Sequence, residues 1–305
     1  MKKVHDRTDG VDPAARCAIQ QEQHASERGL VFSETTRLWP RAVIGARHDG
    51  YRELCGDLFV PSRDTTALRP AMVFLHGGCW RFGSPTQFYY LADRFAAELD
   101  MVSISVDYRM SEEAVFPGAL QDGNCAVSWL REHAKEMHID PEKIAVCGGS
   151  AGGNLSSLMA VVGNEKPEYR SIYGNAEYSC AVNAAILLNG EFDMFELLEK
   201  GSLVEGMKQF FGGTVDEVPE AYQAASSILH LTKHCPPTLL LHGTKDYCVS
   251  YGQSVAFHAR QKELGIHSEL ELYEDKPHAW FNFEPDRSRV ADRIIRFLKE
   301  SFSVG

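Results

Sequence analysis

Residues 143–153 read KIAVCGGSAGG, and this stretch decides the fold. An apolar run of strand character, 143–147, enters Gly148-Gly149-Ser150-Ala151-Gly152-Gly153, and residues 154–162 then carry helical spacing. The pattern is G-x-S-x-G between a strand and a helix. A nucleophile needs its oxygen held above a sheet, on a turn too tight for side chains at the neighbouring positions. Gly148 and Gly152 leave that room. The same turn aims the first amides of the new helix at the reacting centre. The competing readings are a glycine turn that only packs a helix on a strand, or a phosphate cradle. A dinucleotide fingerprint needs G-x-G-x-x-G near the first strand and a P-loop needs G-K-[ST]; the sequence has neither.

Working outward, the strand-like run AMVFLH (71–76) ends in Gly77-Gly78-Cys79-Trp80. Acyl transfer puts negative charge on a carbonyl oxygen, and backbone amides aimed at that oxygen stabilise it. Alone, a Gly-Gly pair after a strand is an ordinary turn. Downstream, TLLLH (238–242) leads into Gly243-Thr244-Lys245-Asp246. An acid there can orient and stabilise a protonated imidazole, although an isolated Asp usually caps a helix or turn. SELELY (268–273) then leads to Glu274-Asp275-Lys276-Pro277-His278, where His278 occupies the place of a general base. Each element is modest evidence. All of them in order, each just beyond a strand, point to nucleophile Ser150, acid Asp246 and base His278.

The remaining pattern agrees. Strands are expected at 55–60, 71–76, 101–107, 143–147, 181–188, 238–242 and 268–273, and helices at 87–99, 119–134, 154–162, 253–264 and 287–302. Apolar strands alternating with amphipathic helices mean βαβ units and a mostly parallel α/β sheet flanked by helices. Functional groups in such sheets gather at the carboxyl ends of strands. The 305 residues show no repeat and no low-complexity linker. Residues 1–35, polar and rich in Gln, Glu, Arg and His, read as an N-terminal extension or cap segment. Residues 36–305 read as the catalytic domain, with a lid insertion at 190–215.

Lys+Arg is 31 against Asp+Glu 42, a net charge of -11, which argues against nucleic acid or anionic membrane as partner. No run of ~18 apolar residues exists to span a membrane, and no apolar run follows the opening MKK, as a secretory signal would require. The eight cysteines are scattered without CxxC, the usage of a reducing compartment, and a cytoplasmic location is expected.

These motifs resemble the hormone-sensitive-lipase-like and acetyl-xylan/feruloyl-esterase-like branch of the α/β-hydrolases, over roughly residues 50–300. Asp107-Tyr108-Arg109, Phe116-Pro117, Phe211-Gly212-Gly213, Ala225-Ser226, Pro236-Pro237 and His242-Gly243-Thr244-Lys245-Asp246 are typical of it. The resemblance implies the α/β-hydrolase fold and the triad order Ser150, Asp246, His278. It also implies an oxyanion hole from the amides of Gly78, Cys79 and Ala151, with Gly77 shaping the loop. Two positions depart from the pattern: Cys79 stands where the branch has a glycine or an aromatic, and Gly149 where the elbow often has Asp.

Other residues compete for roles. Glu191 and Asp193 follow the 181–188 strand and could supply the acid, but Asp246 precedes the histidine strand as the fold expects. His230 and His234, four apart, could share a helical face as metal ligands, yet no H-E-x-x-H pattern joins them. Asp107 and Arg109 read as a structural charge pair. Cys79 is either a reactive thiol or a small residue in a tight turn. Trp80, Phe211 and Trp280 could line a substrate pocket, or pack the core. The expectation is therefore a serine esterase needing no cofactor and no metal, acting on small-molecule or carbohydrate esters with acetyl- or feruloyl-type acyl groups. Two alternatives remain, an arylformamidase and a catalytically silent hydrolase-fold binding protein.

Overall fold

Short aliphatic and β-branched runs bounded by Gly or Pro form the strands. The computed structural model describes residues 30–46, 50 and 52–303. The strands are β1 (Leu30–Val31), β2 (Thr36–Gly45), β3 (Leu54–Pro61), β4 (Arg69–Leu75), β5 (Val102–Asp107), β6 (Ile139–Gly149), β7 (Ala184–Leu188), β8 (Thr238–Gly243) and β9 (Ser268–Tyr273). They make one sheet in the order β1-β2-β3-β5-β4-β6-β7-β8-β9. The first three run antiparallel to their neighbours, and every pairing from β5 to β9 is parallel. This is the α/β-hydrolase architecture expected from the sequence.

The two-residue period of β4 shows why the sheet needs cover on both faces. Met72 and Phe74 join one core with Phe95 of α1 (Tyr89–Leu99) and with Val290, Ile294 and Leu298 of α8 (Asp286–Phe302). Val73 and Leu75 join the other, with Leu120 and Val127 of α2 (Gly118–Glu132), Leu155 and Leu158 of α3 (Ala151–Val161), and Phe257 of α7 (Gly252–Glu263). All seven β4 residues are buried, the signature of a central parallel strand. The loops after β4, β6, β7, β8 and β9 consequently emerge side by side at one end of the sheet.

The sequence reading misses two features. Strand β2 breaks its own period: Pro40 offers no donor, Arg41 sits at φ 57, and the register slips between Trp39 and Ala42. Between β7 and β8 lie three short helices, α4 (Met194–Glu199), α5 (Val204–Phe211) and α6 (Pro219–Ala225). Helix α5 docks through Phe210, which stacks on Trp80 with centroids 4.6 Å apart and accepts a backbone bond from Phe116 at 2.7 Å. Helix α5, within residues 190–215, therefore sits on the loop that follows β4. Most of the N-terminal segment, residues 1–29, lies outside the described residues. The described remainder pairs with β2 at the sheet edge and is tied to Asp93 by Ser33 Oγ at 2.6 Å. Arg109 pairs with the buried Asp122 at 2.8 Å, and Asp107 meets Arg52 at 3.4 Å.

Candidate active site

The elbow after β6 is as tight as the glycines suggested. A Cβ at Gly148 would stand 2.1 Å from the Gly152 carbonyl oxygen, and one at Gly152 would stand 1.9 Å from that of Leu75. Ser150 is held at φ 53, ψ −128, a conformation costing on the order of 1–3 kcal/mol that the surrounding structure must enforce. Its amide donates to the Leu188 carbonyl at 2.9 Å, locking the turn to β7. Gly149, the departure from the family pattern, also has a cause: a Cβ there would meet the Phe281 ring at 2.5 Å. An Asp at 149 and a phenylalanine at 281 exclude each other without rearrangement.

The three residues expected to act together meet at this end of the sheet. Ser150 Oγ is 3.0 Å from His278 Nε2, and His278 Nδ1 is 2.6 Å from Asp246 Oδ2. The Asp246 side chain has no exposure, and that of His278 has 14%. Asp246 Oδ1 accepts the amides of Cys248 and Val249, both at 2.9 Å, and His242 Nε2 reaches Oδ2 at 3.2 Å. Burial alone would push this carboxyl up. The hydrogen bonds from His242, His278 and the Val249 amide outweigh it and hold the group well below the usual carboxylate range. Asp246 is a fixed negative charge facing the imidazole, which is what a general base needs as it takes a proton.

The loop after β4 passes beside the serine. A Cβ on Gly77 would lie 3.3 Å from Ser150 Cβ. The Gly77 amide itself donates to Gln87 Oε1 at 2.7 Å, a bond that shapes the loop. Gly78, Cys79 and Trp80 follow at φ 123, 53 and 57. The turn closes by bonds from the Arg81 and Phe82 amides to the Gly78 carbonyl, and Ser111 holds the Trp80 carbonyl through its amide and its hydroxyl, both at 2.9 Å. Beneath it, His76 is fully buried and stacked on Tyr108, whose hydroxyl donates to the His76 carbonyl at 2.8 Å. Burial lowers the imidazole of His76 to about 4, so it braces the loop as a neutral ring.

Cys79 shows no sign of an activated thiol. Burial, then the negative charge of Glu191, pushes it up to about 11. Its left-handed backbone favours glycine, and a Cβ on Gly206 of α5 would lie only 3.3 Å from its Cβ. Cys79→Gly should therefore keep kcat/KM for p-nitrophenyl acetate within about threefold. The relief of the left-handed residue, roughly 1 kcal/mol, offsets the looser unfolded chain. Cys79→Tyr should instead collide with α5 and change the chain-length preference among acetate, butyrate and hexanoate esters. A thousandfold loss on all three esters in folded Cys79→Gly would give the thiol a chemical role. An unchanged profile in the tyrosine variant would separate residue 79 from the acyl group.

Other candidates fall elsewhere. Trp80, Phe211 and Trp280 are 0%, 4% and 3% exposed. Trp80 stacks on Phe210, while Phe211 and Trp280 pack at a tilt against Tyr222 and Tyr273, so all three rings are packed against neighbouring aromatics. Asp193 caps α4, accepting from the amides of Phe195 and Glu196. His230 ends a 3₁₀ turn against the carbonyls of Gln223 and Ala224, while His234 is exposed in the next turn, so no helical face joins them. Among the described residues, Asp246, Cys248 and His278 are close enough to share a metal ion, but two of them already bond each other. Three contacts escape the sequence reading: Glu191 beside Ser150 at 3.1 Å, Asn189 Nδ2 at 3.3 Å from both His278 ring nitrogens, and His242 on Asp246. A histidine four residues before the acid, closing its strand, was the one local hint.

The fold and this Ser-His-Asp arrangement define an α/β-hydrolase of the hormone-sensitive-lipase-like carboxylesterase branch. A family model described as BD-FAE matches residues 56–261, more than half of the chain, and the chain belongs to that family. Esterase LipC of Mycobacterium tuberculosis is 31% identical over 271 residues, covering 82% of this chain and 66% of LipC. Esterase LipQ of the same organism is 31% identical over 237 residues, covering 75% of this chain and 55% of LipQ. The chain thus spans between about half and two-thirds of the length of these curated relatives. Among solved structures, Thermogutta terrifontis esterase 2 phosphonylated by sarin aligns with a TM-score of 0.74 at 28% identity, covering 85% of this chain and 94% of that one. The propionate-bound form of that esterase aligns with a TM-score of 0.71 at 27% identity, covering 88% and 94%. No helix among the described residues is long and apolar enough to cross a membrane.

Proposed function

We propose that this protein is a serine carboxylic ester hydrolase. The observation that carries the reading is the continuous path from Ser150 Oγ through His278 to the buried carboxylate of Asp246, at 3.0 and 2.6 Å. Ser150 Oγ bonds to the ester carbonyl carbon as its proton passes to His278 Nε2. The carbonyl oxygen takes the negative charge, facing the amides of Gly78, Cys79 and Ala151; such a donor is worth roughly 3–4 kcal/mol in the transition state. His278 returns the proton to the departing alcohol. Water then repeats the sequence on the acyl-enzyme, with His278 again the base, and frees the acid and Ser150.

The acyl group we assign is short, of acetyl or feruloyl type, with carbohydrate esters among the substrates. The backbone of α5 at Gly206 closing over Cys79 supports a confined acyl site, and the Thermogutta esterase has been described with propionate and with butyrate bound. A cytoplasmic, reducing setting fits the free, buried thiols of Cys125, Cys147 and Cys180. The test is a substrate panel: p-nitrophenyl acetate, butyrate, hexanoate and decanoate, acetylated xylo-oligosaccharides, methyl ferulate and N-formylkynurenine. We expect kcat/KM to fall at least about tenfold from butyrate to decanoate, with turnover of the acetylated oligosaccharides and of methyl ferulate. Turnover confined to N-formylkynurenine would make the protein an arylformamidase instead.

A further inference from the structure

The carboxyl group nearest the nucleophile is not the one in the triad. Glu191, just beyond β7, is 0% exposed. Its Oε1 stands 3.1 Å from Ser150 Oγ, its Oε2 has no hydrogen-bond partner, and its main-chain carbonyl is pinned by Asn154 Nδ2 at 3.0 Å. The titratable groups that face it are His278 and Asp246 of the triad, Cys79 on the β4 loop, Cys248 on the β8 loop and Tyr108 beyond β5. Of these, only His278 can carry a positive charge. An ionised carboxylate with one oxygen buried and unpartnered is far costlier than a neutral carboxyl in the same place.

Ser150 has one hydroxyl proton and two acceptors at nearly equal distance, His278 Nε2 at 3.0 Å and Glu191 Oε1 at 3.1 Å. If Glu191 is ionised, it competes for that proton and turns it away from the base. If Glu191 is protonated, its O–H donates to Ser150 Oγ, and the serine proton is left for His278. Resting on the reading of Ser150 as nucleophile, we propose that Glu191 is a positioning residue. As a neutral acid it donates a hydrogen bond to Ser150 Oγ and aims the serine proton at His278, and its ionised form is an off-state of the site. In the active form the serine proton moves to His278 during attack, and Glu191 keeps its own proton throughout. In the off-state the serine proton rests on the hydrogen bond to Oε1, and a second negative charge opposes the developing oxyanion.

The electrostatics agree with the geometry. Burial, opposed by His278, pushes Glu191 up to about 7. The sign follows: the acid that favours catalysis dominates below that pH, and the off-state grows as pH rises through it. Glu191→Gln fixes the favourable form, because a glutamine amide can donate to Oγ and cannot titrate.

The experiment compares kcat/KM for p-nitrophenyl acetate in native protein and Glu191→Gln from pH 6 to 9.5, read as the ratio of variant to native at each pH. That ratio cancels the titrations the two proteins share, His278 excepted, because Glu191 and His278 act on each other's charge. It should rise at least about tenfold between pH 6.5 and 9; a flat ratio overturns the proposal. If the variant does not fold, the rate at which a fluorophosphonate inactivates the native protein serves instead. That rate should fall at least about tenfold from pH 7 to 9, and a rate that holds or rises overturns the proposal. A folded native protein that neither hydrolyses the ester nor is labelled at any pH would overturn the nucleophile assignment, and this one with it. A native protein that does both with a flat ratio would overturn only the role of Glu191.

Discussion

Ser150→Ala should lower kcat for p-nitrophenyl acetate by roughly 10⁴–10⁶-fold with no loss of fold. The change removes one oxygen atom. Neither the elbow at φ 53 nor the amide bond to the Leu188 carbonyl depends on that atom. His278 stays fixed to Asp246 at 2.6 Å, but the base has no hydroxyl to deprotonate and no acyl-enzyme can form. The amides of Gly78, Cys79 and Ala151 remain, so a residual rate above that in water is expected from them and from binding. Circular dichroism and the melting temperature should match the native protein. A folded Ser150→Ala protein that keeps more than a tenth of native activity would put the nucleophile elsewhere.

Asp246→Asn should cost on the order of 10³–10⁴ in kcat. The carboxylate accepts on both oxygens: two loop amides at Oδ1, and His278 with His242 at Oδ2. An asparagine must turn its NH₂ toward one of these pairs. Facing the amides, it sets donor against donor. Facing His278, it accepts nothing from Nδ1, so the imidazole moves its proton to Nε2 and presents Ser150 with N–H where a lone pair is needed. Either way the countercharge is lost. Asp193→Asn, beyond the earlier strand β7, should keep activity within a few fold, because asparagine caps α4 as well as aspartate does. A larger loss at Asp193 than at Asp246 would move the acid to the β7 loop. The measurement is kcat on p-nitrophenyl acetate for both variants at one pH.

The residues that could be read from the sequence are those whose chemistry is local. The elbow needs glycines because backbone passes within 2.1 Å of where side chains would begin, and that requirement is written in the chain itself. The β4 and β8 loops could be read because each follows a continuous apolar strand, and the β9 loop because its strand alternates Glu with Leu. What could not be read depends on partners distant in sequence. That Gly77 shapes its loop by giving its amide to Gln87, ten residues on, shows only in the fold. Glu191 looks like a spare catalytic acid until β7 pairs with β6 and brings it within hydrogen-bond distance of the serine. Trp80 and Phe211 have the composition of a pocket lining, and only the docking of α5 turns them into packing. Strand β2 escaped because a proline and a left-handed arginine interrupt its alternation.

The most direct test of Ser150 as the nucleophile is covalent. Native protein treated with a fluorophosphonate should gain a single adduct, found by peptide mass spectrometry on Ser150, and lose its esterase activity in proportion. Ser150→Ala should gain none. Full esterase activity in folded protein that carries no adduct, or an adduct on another residue that abolishes turnover while Ser150 stays unmodified, would contradict it.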